Sequence, residues 1–413
     1  MTDAKYGDEQ INSAPLTRVL LVHNHYGSSA PSGENRVFET ESALLRQRGH
    51  DVREFVRSSD GIRSNGAYGL VTGGLATPWN PFAARALRRE IREFGPDVVH
   101  VHNTFPLLSP SCFRAIGTLA ASVLTLHNYR LFCSKGTPFR GGNVCMKCVD
   151  DRSAWSAIRH ACYRDSRLAT LPLAVSVELH RHLGTWTEHV DAFIALSELQ
   201  RQRMIDGGLP SGHVHVKTNF YPGSPAASPW RGRGRYVVFV GRLTAEKGVE
   251  VLLRAWRLWG DAAPELRIVG DGGLRPELER LAGDLPVRFL GQVDLAEAQR
   301  QIAQARLLVL PSECFEGSPM AVIEAFAFGT PVAASDLGPL PFIVRHGVNG
   351  VVFQPRNHES VYREIRRVWD APDTLEELGR GARTSFEAHY AENANYRMLM
   401  DIYDTATSVS KRR

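Results

Sequence analysis

Short apolar runs and amphipathic stretches alternate along almost the whole chain. In the first half the runs are RVLLV (18 to 22), DVREFV (51 to 56), DVVHV (97 to 101), SVLTL (122 to 126), DAFIAL (191 to 196) and HVHVK (213 to 217). Each has the length of a strand. Helical stretches lie between them, notably Glu34 to Gln47 and Pro81 to Phe94, and this alternation predicts a parallel sheet covered on both sides. The pattern stops at TNFYPGSPAASPWRGRGR (218 to 235), which is rich in Pro, Gly, Ser and Arg and has no periodicity. It then restarts with YVVFVG (236 to 241), ELRIVG (265 to 270), VRFLG (287 to 291), LLVLP (307 to 311), PVAAS (331 to 335) and GVVF (350 to 353), with helices such as Gly248 to Trp259 and Pro276 to Ala282 between.

The expected organisation is therefore α/β, with two doubly wound, Rossmann-like domains. Residues 17–220 form the first, 221–235 the linker and 236–388 the second, while 389–413 form a closing helix long enough to pack back on the first domain. Ligands are expected at the carboxyl ends of both sheets. The leader 1–16 is polar and lacks the apolar core of a signal peptide, so it reads as disordered. At 413 residues the chain can bury two cores, and 43% apolar with 23% charged residues is an ordinary globular balance. A net charge of +5 with no internal basic run sets nucleic acid aside as a partner. No apolar stretch is long enough to span a bilayer, and a cytoplasmic location is the expectation. Oligomeric state is not specified.

The stretch richest in chemistry is LVLPSECFEGSPMAVIEAFAFGTPVAAS, 308 to 335. A buried strand delivers the chain into a loop holding Glu316 and Gly317. Ser318 reads as N-cap, Pro319 as the first helical residue, Met320 as the next, and Gly329 as the stop, giving a helix from Pro319 to about Phe328. Its free amides face Glu316, which places an anion site beside a carboxylate. Glu324 lies eight residues further on, inside the helix. Taken alone, either Glu is a solvated position. The spacing also suits a ligand with sugar hydroxyls, a diphosphate and ribose hydroxyls.

The run SECFEGSPMAVIEAFAFGTPVAASDLG resembles the donor-site signature of glycosyltransferase family 4. The resemblance covers nearly all of residues 18 to 405 and implies the GT-B architecture, in which two such domains face each other across a cleft. It implies a retaining transferase that moves a sugar from a nucleotide-sugar donor, UDP- or GDP-linked, to a hydroxyl acceptor. Glu316 would then contact sugar hydroxyls and Glu324 the ribose.

The loop GRLTAEKG (241 to 248) follows a strand and is bounded by Gly241. Arg242 and Lys247 can converge there on one anion, a bidentate fork and a point charge; the bland alternative is two solvated cations. The resemblance supports the first, since family members carry both residues in this loop, where they would stabilise the charge of a departing diphosphate. The loop VGDGGLRPELE (269 to 279), with Gly270, Asp271 and Gly272, misses the dinucleotide fingerprint because Arg275 stands in place of the third glycine. It reads equally as a close nucleotide approach and as a tight turn. In the first domain Gly27 to Gly33 open amides ahead of a helix and resemble the family's Gly-rich first loop, with Ser32-Gly33 in place of paired glycines. His127 ends the strand SVLTL. A lone His is more often structural, but the resemblance implies contact with the transferred sugar. No nucleophile and acid-base pair suits a double displacement, and no Asp-x-Asp occurs. No catalytic cofactor or metal is therefore expected.

Four cysteines crowd into the insertion 130–165: Cys133, Cys145, Cys148 and Cys162. Cys145-Met-Lys-Cys148 is a C-x-x-C knuckle, so the four, or three with His160, form a candidate structural zinc site, with free thiols and redox chemistry as the alternatives. The helix 81–94 carries Arg85, Arg88, Arg89 and Arg92 beside apolar residues. It reads as a sheet-covering helix with a basic face, or as a peripheral contact with the inner membrane face. Two other functional classes fit the same fold, a sugar phosphorylase and a non-catalytic sugar-nucleotide binding protein.

Overall fold

A computed structural model describes residues 16–25, 33–60 and 66–413. The leader 1–15 and most of the Gly27–Gly33 loop lie outside them. The first sheet holds β1 (Arg18–His25), β2 (Asp51–Ser58), β3 (Val98–Val101), β4 (Ala121–Leu126), β7 (Ala192–Ala195) and β8 (Val214–Val216), in the order β2-β1-β3-β4-β7-β8. Between β4 and β7 a two-residue hairpin, β5 (Phe139–Arg140) with β6 (Asn143–Val144), marks the Cys-rich insertion. The second sheet holds β9 (Tyr236–Val240), β10 (Glu265–Val269), β11 (Val287–Gly291), β12 (Leu307–Leu310), β13 (Val332–Ser335) and β14 (Gly350–Phe353), in the order β11-β10-β9-β12-β13-β14. Its strand pairs are parallel.

Both sheets reverse direction of growth beside their first strand. In the second sheet the chain adds β10 and β11 on one side of β9, then returns to place β12 on the other. The carboxyl ends of β9 and β12 therefore flank a topological switch point, where an open α/β sheet leaves room for a ligand. Strand β12 is buried along its whole length, as are Val237, Val238 and Phe239 of β9. Each such side chain contributes about 1.5–3 kcal/mol relative to exposure, which makes the strand ends rigid supports for the loops that follow.

Among the described residues, Cα packing groups those up to 125, with 179–194 and 396–413, into one compact unit, and 126–178 with 195–395 into another. In the first, the closing helix is held by side-chain bonds. Tyr396 OH lies 2.7 Å from His50 Nε2, and Tyr403 OH lies 2.9 Å from His100 Nδ1. The Cys-rich insertion falls in the second unit. No helix among the described residues is long and apolar enough to cross a membrane.

Candidate donor site

The loop after β9 and the loop after β12 meet. Glu313 N donates to Glu246 O at 2.8 Å. Gly248 stands so close to Pro311 that a Cβ there would come within 2.0 Å of its carbonyl oxygen, so only glycine allows the approach. This docking brings Lys247 Nζ to 2.6 Å from Glu316 Oε1, with the two side chains 18% and 11% exposed. Ser312 Oγ donates to the same oxygen at 2.5 Å, while Oε2 has no partner among the described residues and is free to accept from a ligand hydroxyl. Burial acts to raise the Glu316 pKa, but Lys247, Ser312 and Arg242 outweigh it and hold the carboxyl below its ordinary value. Burial likewise opposes the charge on Lys247, and Glu316 reverses that, holding the ammonium above its ordinary value.

Arg242 completes the group from outside. Its side chain is exposed, makes no hydrogen bond or ion pair among the described residues, and is near enough for its charge to act on both members of the pair. A paired cation, an unpaired cation and a half-used carboxylate thus stand together at the switch point. Such a group can hold a dianion and a hydroxyl at once.

The helix after Glu316 runs Met320–Ala327, one residue shorter at each end than expected. Ser318 is not its cap. Asn219 N donates to Ser318 Oγ at 3.2 Å and Asn219 Nδ2 to Ser318 O at 2.9 Å, so this buried serine is committed to the preceding chain. Pro319 takes the cap position in extended backbone with no side-chain bond. The first amides are consequently left without a capping side chain, which suits an anion better than a capped end. Gly329, at φ +69°, ends the helix as expected. Glu324 is 3% exposed, with Gln299 Nε2 at 3.4 Å from its Oε1, so it is not a solvated helix residue.

The 270–274 loop is zipped to the 241–243 loop. Leu243 N donates to Asp271 O at 2.9 Å and Leu274 N to Leu243 O at 3.2 Å. A Cβ on Gly270, whose φ is +130°, would meet Gly241 O at 2.0 Å, and one on Gly272 would meet Leu243 O at 2.4 Å. These glycines are explained by backbone approach within the protein. Asp271 Oδ1 accepts from Gly272 N at 2.7 Å, and Oδ2 pairs with Arg275 Nη1 at 2.9 Å. Gly272 N and then Arg275 keep that carboxyl below its ordinary pKa.

His127 is half-buried and its backbone borders the Glu316 loop, since a Cβ on Gly317 would lie 3.9 Å from His127 O. Gly33 opens the Gly33–Gln47 helix with open space at its α-carbon. In the insertion, Cys133 is pushed up to about 11, by burial first and Cys148 second. Burial and then Cys148 raise Cys162 as well. No three of these sulfurs gather as a ligand set, however. Among the described residues the one group whose ligand atoms all lie within 4.8 Å of one another is Glu41, His100 and His102. Sequence reasoning had not singled out Ser312, which orients Glu316, or Asn219, which holds Ser318. Ser312 carried a signal in its place four residues before Glu316; Asn219 carried none.

Comparison with known proteins agrees with this geometry. The pattern of glycosyl transferases group 1 matches residues 234–371, and that of Glycosyltransferase Family 4 matches residues 31–222. Sulfoquinovosyl transferase SQD2 of Arabidopsis thaliana is 31% identical over a 440-residue alignment that covers 98% of this chain and 79% of that protein. The chain belongs to glycosyltransferase family 4. The uncharacterized glycosyltransferase MJ1607 of Methanocaldococcus jannaschii is 32% identical over 183 residues, covering 43% of this family 4 enzyme and 47% of that protein. The chain thus spans about half the length of that relative. Among solved structures, Anabaena Alr3699/HepE in complex with UDP and glucose superposes with a TM-score of 0.61 at 16% identity, covering 92% of this chain and 98% of that one. Sucrose-phosphate synthase from Thermosynechococcus elongatus gives 0.63 at 19%, covering 94% and 98%. At such identities the likeness establishes the fold, which is GT-B.

Proposed function

We propose that this glycosyltransferase is a retaining, metal-independent enzyme that moves a sugar from a UDP-sugar to a hydroxyl acceptor. The observation that carries the reading is Arg242, an exposed cation without a partner, held beside the buried Lys247–Glu316 pair at the switch point. UDP is favoured as the nucleotide because the Anabaena protein of the same fold was solved with UDP and with UDP-glucose.

In the transfer, the bond between the anomeric carbon and the diphosphate oxygen breaks, and negative charge grows on the diphosphate. Arg242, Lys247 and the uncapped amides of the Met320–Ala327 helix stabilise that charge, doing the electrostatic work that a divalent cation does in other transferases. Glu316 Oε2 accepts from a sugar hydroxyl and fixes the ring. The acceptor attacks the face the diphosphate leaves, and a departing phosphate oxygen takes its proton. His127 borders the same loop and contacts the sugar.

Titration of the protein with UDP and GDP, read by melting temperature, tests the donor site. UDP at a hundredfold its Kd stabilises by about 2.7 kcal/mol. Arg242→Ala removes that stabilisation and lowers kcat/KM about 10²- to 10³-fold, with the ligand-free melting temperature unchanged because the side chain supports nothing. Wild-type affinity for UDP in Arg242→Ala would dismiss the assignment.

A further inference from the structure

We infer that Arg356 is a positioning residue that fastens the Cys-rich insertion to the two loops of the donor site. The β5–β6 hairpin turns on Gly141 and Gly142, at φ +56° and +72°, a pair of left-handed conformations that a two-residue turn of this hand demands. Asn143 Nδ2 donates back to Gly141 O at 3.0 Å. That bond fixes the amide so that its oxygen faces Arg356, whose Nη1 donates to it. The close fit extends to the turn itself, since a Cβ on Gly142 would lie 3.6 Å from Arg356 Nη2.

The other edge of the guanidinium faces the donor loops. Arg356 Nε stands 3.5 Å from Glu313 Oε2, and the Glu313 side chain is 13% exposed. Glu313 lies three residues before Glu316, and its amide bonds Glu246 O, next to Lys247. One side chain thus spans from the tip of the insertion to the residue that holds both donor loops together. The span needs a planar fork with donors on two edges, which arginine has and lysine lacks. Arg356 itself sits at φ +62°, a left-handed conformation uncommon for a residue with a side chain and kept where the surroundings impose it. The insertion is therefore part of the support of Glu316 and Lys247.

This positioning role rests on the donor-site reading for its effect on chemistry, but its physical content can be measured without a substrate. Hydrogen exchange of the full-length, ligand-free protein is followed by mass spectrometry in the wild type and in Arg356→Ala, Asn143→Ala, Asn143→Asp and Arg356→Lys. Amides of 244–248 and 312–318 are expected to exchange about tenfold faster in Arg356→Ala and Asn143→Ala. Asn143→Asp, which keeps an acceptor, restores the wild-type rate, and Arg356→Lys does not. Strands β1 and β2 remain unchanged throughout. Should Arg356→Ala fail to fold, the exposed Asn143 still decides the matter: wild-type exchange at 312–318 in Asn143→Ala overturns the proposal. With UDP as the probe, both alanine variants should raise its Kd about tenfold. Absence of UDP binding by the wild type would dismiss the donor-site reading and leave the exchange result to judge the clamp.

Discussion

Two clusters of titratable side chains can be compared directly. One is Lys247, Glu316 and Arg242 in the second unit. The other is Glu41, His100 and His102 in the first, where Glu41 Oε1 lies 3.0 Å from His100 Nδ1 and 3.3 Å from His102 Nε2. By ligand type and spacing, the histidine cluster bears the closer resemblance to a reactive centre. Its members are all buried, though, and protein groups close it off: Thr125 Oγ1 is 2.7 Å from His100 Nε2, and Tyr403 OH is 2.9 Å from Nδ1. Burial and then Glu41 push the Tyr403 phenol well above its usual range, so it stays protonated and able to donate. The donor cluster differs in one respect that matters. It leaves an exposed cation and one carboxylate oxygen unused. A polar cluster sealed from solvent on every side is architecture, and one that presents an unused cation to solvent at a strand end can serve as a site.

The largest expected effect comes from opening the sealed cluster. Glu41→Ala removes the carboxylate that two buried rings face in the interior, and should cost about 3–5 kcal/mol of stability. Denaturant unfolding measures that loss, and specific activity per folded molecule should stay near wild type. A variant of normal stability that had lost activity would reverse the comparison and make the histidine cluster part of the chemistry.

Acid should then separate the two regions. Burial, with His102 and His25 adding to it against the Asn35 bond, lowers His23 to about 3, and burial lowers His180 to about 4. Both ordinarily titrate at 6.5. Between the folded and unfolded values the unfolded chain binds more protons, so the contribution is full above pH 6.5 and declines as pH falls below it. From pH 7.5 to 5.5 the two together should remove about 3 kcal/mol. Glu316 titrates below its ordinary 4.5 and Lys247 above its ordinary 10.5, so the donor pair stays charged throughout this window. Denaturant midpoints should therefore fall, while the Kd for UDP should change only as far as the terminal phosphate of UDP itself, with a pKa of about 6, takes up a proton. A midpoint flat across this range would show that the two rings are not held neutral.

Much of this was legible in the chain. All six strand runs of each half occur, and Pro81–Phe94 falls at its predicted ends, because Asn80 caps Ala83 N and Gly95 turns left-handed after it. Arg242, Lys247 and Glu316 could be singled out because each stands in a loop at a strand's carboxyl end, which local pattern reveals. What escaped depends on partners distant in sequence. Ser318 has the identity of a cap, and only the position of Asn219 shows that its hydroxyl is taken. The helix Arg167–His182 escaped because Pro172 lies inside it and reads locally as a break. The cysteine spacing suggested a zinc knuckle, and Cys148 does act on both Cys133 and Cys162, but spacing does not fix side-chain direction and no three of the sulfurs lie within 4.8 Å of one another. Glu41 is a helix residue and His100 a strand residue, with nothing local to join them.

The smallest effect sharpens what sets Arg242 apart from the other exposed arginines. On the Pro81–Phe94 helix Ala83, Leu87, Ile91 and Phe94 face inward. The outward face carries Arg85, Arg88, Arg89 and Arg92, with Phe82 77% exposed at its start. Arg89 pairs with Glu93 at 2.6 Å, whereas Arg85, Arg88 and Arg92 make no salt bridge among the described residues. Their spacing of three, four and seven residues sets these cations along one outward helix face. A flat field of anionic headgroups can use them, with Phe82 as the apolar wedge. Peripheral contact of this face with an anionic membrane surface, one of the two readings of the helix, predicts about 1 kcal/mol from each basic side chain. Arg88→Ala and Arg92→Ala should each weaken binding to vesicles of phosphatidylcholine and phosphatidylglycerol about fivefold, and raised salt should remove the difference. Binding equal to that on phosphatidylcholine alone would mean that the arginines only keep the helix's outer face in water.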